Sequence, residues 1–462
     1  MGLGAFHPSS TPRHFQGSPA IRRTPPQGRP RAPRGALLSL ALACVLTAWL
    51  IPDHAAAADS TPTHDRPVPV AAEASLDESI PVPVPEPSPL ALRYHRTGRW
   101  LWALGKLWVV AIPLAILISG TSARWRDFAR RIGRTWFGTV AVYIAIYLLV
   151  RFAADLSLRY YAGFLRQHAY GLSNQSAGKW FGDSLKSLAL ELVGGIGFGW
   201  VPFWLIGRYP RRWWLILSAL TVPFVAFLAL IAPIWIDPLF NAYGPMHDKA
   251  LEHAILAQAG RAGIAGSRVF EVNKSVDTNA LNAYVTGLFG TKRIVLWDTL
   301  LAKMDDREVL AVLGHEMGHY KLNHIPKSVA LSSLVILASL FWVDRAGRWL
   351  LSRPALRRRF GFDSLADVAA TPLILLLMAA SSLVLGPIGL ALSRYHEHEA
   401  DRFALDLTHR NRSAARAFVT LQRENLSVPR LDWIDTIFRS THPSIGDRID
   451  FFNSYRPPAV GR

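Results

Sequence analysis

Cysteine is almost absent: Cys44 stands alone in 462 residues, so no intrachain disulfide can form. The preceding Ala41-Leu42-Ala43 is a poor match to a lipoprotein cleavage signal. Charge is scarce too, at 18% of residues, against 50% hydrophobic residues, 16 tryptophans and a mean hydropathy of +0.19. That balance excludes an ordinary soluble protein and points to the membrane class, with the lipid bilayer as a partner. Acids are the scarcer sign, which leaves a formal charge of +18. The surplus is not gathered on one domain with interleaved aromatics, so a nucleic-acid partner is not expected. No internal repeat is visible.

The first apolar run, Gly35 to Ile51, follows an arginine-rich stretch without a single acid and precedes small residues at Ala56 and Ala58. Residues 1–58 therefore read as a secretory leader cleaved near Asp59, or as an uncleaved anchor. Prolines deny helix and sheet to residues 59–96, which read as an extended linker outside the folded unit. Six further apolar segments follow: Trp100–Ser119, Trp136–Ala153, Leu188–Ile206, Trp213–Trp235, Val329–Val343 and Pro372–Leu392. They are long enough, or nearly so, to cross a hydrocarbon core as helices. The expected class is mostly α: a polytopic membrane bundle of six helices plus a leader or seventh helix, carrying an α+β catalytic domain with a small sheet. A four-helix region at 97–236 and a helix pair at 326–393 alternate with polar parts at 237–325 and 394–462.

Arginines orient the bundle. Arg124, Arg126, Arg130, Arg131 and Arg134 follow the first of these segments, Arg208, Arg211 and Arg212 the third, and Arg345, Arg348, Arg353 and Arg357 to Arg359 the fifth. By the positive-inside rule these connections are cytoplasmic, and both polar parts face outward across the cytoplasmic membrane. Within 237–325, "DKALEHAILAQAGRAGI" has helical spacing, "SRVFEV", "NAYVTGLF" and "KRIVLWD" read as strands, and Gly290-Thr291 as a hairpin turn. Helical periodicity then returns, with Asp305 or Asp306 as N-cap.

That last helix carries "GHEMGHYKLNH". His315 and His319 are four apart and project from one face, a spacing that lets both imidazoles reach one tetrahedral ion. Glu316 is rotated off their line, where a general base beside the ion must be. His324 comes one place too early to be a metzincin third ligand and reads as structural or solvent-facing. The chain has no glutamate between Glu316 and Glu397. Glu397 and Asp401 then appear four apart after the last apolar segment, on the same outer face, so one could ligate zinc while the other anchors a ligand imidazole. His396 and His398, on either side of that face, read as a polar helix entry. Two imidazoles, a carboxylate and an open fourth position imply a catalytic site, with zinc-activated water attacking a carbonyl. His442 is by spacing only a loop histidine, with Arg448 at helical distance beyond it.

"YGLSNQS", "DPLFNAYGPM", "NAYVTGLFGTKRIVLWDTLL", "VLGHEMGHYKLNH", "SRYHEHEADRFA" and "STHPSIGDRI", in that order, resemble the integral-membrane zinc metallopeptidases of the CAAX prenyl protease type 1 family, which are gluzincins. The likeness spans roughly residues 93–456. It implies one zinc on His315, His319 and Glu397, with Glu316 as base and proton shuttle. It further implies support from Asp401, oxyanion stabilisation by His442, and a role for Arg448 in holding the site together. Asn282, Ala283 and Tyr284 match the strand on which the family lays its peptide or protein substrate as an added β-strand. Glu191, an acid within the third segment, is expected to face the interior. Eukaryotic members present their site to the cytosol, whereas the arginines here predict the opposite face. The expectation is therefore a zinc endopeptidase acting on membrane-associated peptides or proteins, with prenylation of the substrate left open. Two rivals fit less: a metal-binding scaffold has no use for Glu316, and a transporter gives no account of Glu397 and Asp401.

Overall fold

The computed structural model describes residues 77–264, 266–287 and 293–456, all within one compact unit. The leader or anchor, the first part of the linker and the Gly290-Thr291 turn lie outside the described residues. Helices dominate. The first region holds α1 (Pro89–Ile118), the amphipathic α2 (Thr121–Gly133), α3 (Trp136–Tyr160) and its short continuation α4 (Arg166–Ala169). It then holds α5 (Ala177–Phe198), α6 (Trp200–Arg208) and α7 (Trp213–Ile231). Strand β1 (Tyr243–Pro245), α8 (Lys249–Arg261), β2 (Arg268–Val272), β3 (Ala283–Thr286), β4 (Arg293–Trp297), α9 (Asp298–Lys303) and α10 (Asp306–Lys321) follow. The chain continues through α11 (His324–Leu351), α12 (Pro354–Phe360), α13 (Thr371–Thr408), α14 (Asn411–Glu424), α15 (Trp433–Phe438) and α16 (Ile445–Ser454).

Six helical stretches among the described residues are long and apolar enough to span a membrane: Pro89–Ile118, Trp136–Ala169, Ala177–Arg208, Trp213–Leu239, His324–Leu351 and Val368–Thr408. Each runs 27 to 41 residues where about 20 suffice to cross. Their outer faces expose large apolar side chains such as Leu107, Val193 and Val384, as lipid contact requires. Inside the bundle, several polar groups find partners. Glu191 turns onto Arg151 of α3, 3.5 Å away, and Trp213 donates its indole N–H to buried Asp344 at 2.7 Å.

The polar part has its own core. Ile294, Leu296, Leu300, Leu313, Met317, Leu405 and Phe452 pack together between the sheet, α10, α13, α14 and α16. The sheet order is β1-β2-β4-β3, with β2 parallel to β4 and the outer pairs antiparallel, so β3 is an edge strand. The three longer strands fall within the three segments read as strands from sequence. The three-residue β1 carries too little pattern to be seen there.

The proline-rich stretch differs from expectation. Its described part lies along the polar domain: Val82 exchanges two hydrogen bonds with Asn453, Gln422 donates to the Pro85 carbonyl, and Glu78 accepts from Ser413. Helix α1 then starts at Pro89, capped by Ser88, so the membrane region begins eight residues before the expected 97. Extended backbone was legible in the prolines; where it docks depends on partners remote in sequence.

Helix α10 starts sharply because Asp305 and Glu308 form a capping box, each side chain accepting from the other's backbone N–H. It packs on α13 at a crossing made of small residues. A Cβ on Gly318 would meet the Ala400 backbone and Phe403 at 3.1–3.2 Å, and one on Gly314 would meet Thr408 at 3.1 Å. Substituting Gly318→Val is expected to force these helices apart and to cost about 1–3 kcal/mol of stability, read as a lower Tm of the detergent-solubilised protein.

Candidate active site

Helix α10 turns His315 and His319 toward α13, which continues beyond its apolar stretch to carry Glu397 and Asp401 one turn apart. The Nε2 atoms of His315 and His319 lie 3.1 Å apart, and each is 3.3 Å from a Glu397 carboxylate oxygen. Donors at zinc-type bond lengths on a tetrahedral ion stand roughly 3.3–3.4 Å from one another, so the trio fits a small divalent cation. Three donors leave the fourth corner of such a tetrahedron for water or substrate.

Behind the trio the remaining polar atoms are matched. His315 Nδ1 is 2.8 Å from Asp401 Oδ1, which fixes that ring's orientation and its Nδ1–H tautomer. Asp401 in turn accepts two hydrogen bonds from Arg448, at 2.8 and 2.6 Å, and Arg448 gives a third to Glu397 at 3.2 Å. Arg448 projects from α16, is 5% exposed and stacks on Phe418 with its guanidinium 4.1 Å from the ring centroid. Burial works against its charge, but Asp401 and Glu397 outweigh that and hold its pKa above the usual arginine value.

Glu316 and His442 face the open side. Both line a cleft of 610 Å³ together with His315, Arg448, Asn282 and Ala283. Desolvation raises the Glu316 carboxyl from its usual value against the pull of the two imidazoles, which suits a group that must take up a proton. His442 is exposed, with Nε2 3.3 Å from Glu397 and Nδ1 held by Thr441 at 2.7 Å.

Strand β3 borders this cleft with its outer edge. Asn282 accepts from Trp297 N–H, which makes 282 and 297 a hydrogen-bonded pair. The alternation of an antiparallel ladder then commits the Tyr284 backbone to β4 and turns the N–H and C=O of Ala283 and Val285 outward. Of the three residues expected to hold a peptide, Ala283 thus has free backbone groups on the open edge, as does Val285, which was absent from the expectation, while Tyr284 meets Tyr243 through their hydroxyls at 3.3 Å.

Of the other histidines, His324 takes the structural alternative of its reading and His396 departs from a polar helix entry. His324 is buried, 3% exposed, with Nδ1 2.9 Å from His319 Nδ1. His396 is buried too and stacks on His324, whereas His398 stays exposed against Phe451.

The sequence pattern of peptidase family M48 matches residues 245–455, and that of the CAAX prenyl protease N-terminal domain, five membrane helices, matches residues 90–242. The metalloprotease YhfN of Bacillus subtilis is 36% identical over 349 residues, covering 74% of this chain and 81% of that protein. The chain belongs to peptidase family M48. CAAX prenyl protease 1 of Saccharomyces cerevisiae is 32% identical over 316 residues, 64% of this chain and 68% of the yeast protein. The crystal structure of S. mikatae Ste24p shares the fold, with a TM-score of 0.69 at 23% identity, over 79% of this chain and 88% of that one. This M48 member is a membrane-embedded, metal-dependent peptidase, and the scaffold and transporter readings gain no support. Because buried Arg448 gives two hydrogen bonds to Asp401 and one to Glu397, Arg448→Met is expected to destabilise the metal-free protein by about 3–5 kcal/mol, measured by thermal unfolding.

Proposed function

We propose that the protein is a zinc endopeptidase that binds one zinc ion through His315, His319 and Glu397 and cleaves membrane-associated or exported peptides. The observation that carries this reading is the trio of donors 3.1–3.3 Å apart beside Glu316, in a cleft bordered by an open strand edge. Two imidazoles and a carboxylate suit zinc better than a harder cation. Bound zinc supplies Lewis acidity, which polarises a carbonyl and makes water a nucleophile at neutral pH.

The remaining work falls to the chain. The peptide backbone pairs with Ala283 and Val285, which lays the scissile bond across the cleft in extended form. Glu316 takes the proton of the attacking water and passes it to the leaving amine. His442 donates a hydrogen bond to the oxyanion that forms on the carbonyl carbon. Asp401 keeps His315 in the tautomer that leaves Nε2 free, and Arg448 holds both carboxylates in place.

The name of the yeast relative attaches prenylated CAAX substrates to that protein. Here the arginine pattern puts the catalytic part on the outer face of the cytoplasmic membrane, which favours exported segments without a prenyl group. In a Cys44→Ser background, an impermeant maleimide applied to intact cells is expected to label Arg268→Cys and spare Arg358→Cys; the reverse pattern would refute this orientation. For the chemistry, purified Glu316→Ala should retain zinc yet lose cleavage of a quenched peptide by at least 100-fold, while His319→Ala should lose both. Turnover retained in Glu316→Ala would contradict the assigned base. Matched lipidated and unlipidated peptides then identify the substrate class.

A further inference from the structure

Only Leu322 and Asn323 separate α10 from α11, and Asn323 adopts the left-handed conformation, φ 57° and ψ 38°. This tight reversal folds His324 back beneath the last turn of α10. Its Nδ1 comes to 2.9 Å from Nδ1 of His319, and its Nε2 to 3.3 Å from Glu399 Oε2 on α13. The ring stacks on His396, with centroids 4.2 Å apart and planes 5° from parallel. Lys327 Nζ approaches the same Glu399 oxygen at 3.8 Å, and Ser328 Oγ lies 3.4 Å from His396 Nδ1.

Tautomers decide what this cluster does. His319 Nε2 faces the other two metal donors, so its lone pair belongs to the ion and its proton sits on Nδ1. His324 Nδ1 must then accept that proton's hydrogen bond, which leaves the His324 proton on Nε2, the atom 3.3 Å from Glu399. We infer that His324 is the positioning residue of the metal ligand His319, backed by Glu399, as Asp401 backed by Arg448 is for His315. This rests on the zinc reading of the site. The Glu399 link is longer than the His319–His324 link and not well aligned as a hydrogen bond, so it is the weaker one.

By distance alone, His324, His396 and Glu399 could hold a second ion. The tautomers argue against it. If His324 Nε2 gave its lone pair to a metal, Nδ1 would carry hydrogen and confront the His319 Nδ1–H, donor against donor, at 2.9 Å. The nearly parallel rings also aim their in-plane lone pairs side by side rather than at one point. The cluster is therefore a support for the first metal.

The test is zinc affinity of the full-length protein by chelator competition, with zinc counted per chain. Partners of this kind change metal affinity by about 10–100-fold when removed. His324→Ala and His324→Phe are both expected to fall in that range, Phe because it keeps the ring but has no acceptor. His324→Asn, whose Oδ1 can accept in place of Nδ1, should recover most of the affinity, and Glu399→Gln should lose least. A role in packing alone predicts the opposite order, Phe near wild type and Asn weak, and that result would overturn the inference even if His324→Ala fails to fold. Two zinc ions per wild-type chain, falling to one in His324→Asn, would equally overturn it. A wild type without zinc would instead sink the zinc reading on which the inference stands.

Discussion

Everything at the site depends on how closely α10 approaches α13. Glycines at 314 and 318 let the backbone of α10 sit against Ala400 and Ala404, and one turn before Ala400 on α13 the carboxylate of Glu397 meets both imidazoles. Side chains four apart on one helix can span a cation, but the third donor must come from a segment some 80 residues away. A crossing of small residues fixes that distance more rigidly than a loop would, since two packed helices move as units. The same α13 is a membrane helix for most of its length, so the hydrocarbon region and the catalytic carboxylates share one rigid element.

Charge accounting explains the surroundings of the trio. Glu397, Asp401 and Glu316 bring three carboxylates into a poorly solvated place, and Arg448 offers one positive charge. A divalent cation would complete the balance with the carboxylates ionised. Buried charges are tolerated only when paired and hydrogen-bonded, and here each donor and acceptor around Asp401 has a partner. This arrangement also separates the groups in space: Asp401 and Arg448 contact His315 and Glu397 from behind, while Glu316 and His442 line the cleft.

Much of this was legible in the sequence, for reasons of periodicity. His315 and His319 announce themselves by a local spacing, Glu397 by the absence of any glutamate between it and Glu316, and the membrane helices by length. The Asp305 cap and three of the four strands follow from equally local patterns. What escaped depends on tertiary geometry. Val285 rather than Tyr284 presents its backbone because of the parity of the β3–β4 ladder. His324 is buried because Asn323 takes a left-handed turn, and His396 because α11 covers it. Residues 78–88 dock because Asn453, Gln422 and Ser413 happen to face them. None of these is encoded in the hydrophobic periodicity of the segment concerned.

X-ray absorption at the zinc edge of the purified protein tests the central claim most directly. The account predicts one zinc bound by two imidazole nitrogens and carboxylate or water oxygens at about 2.0–2.2 Å, without thiolate sulfur, and no bound zinc in His319→Ala. A coordination sphere without imidazole, or one left unchanged by removing His319, would contradict it.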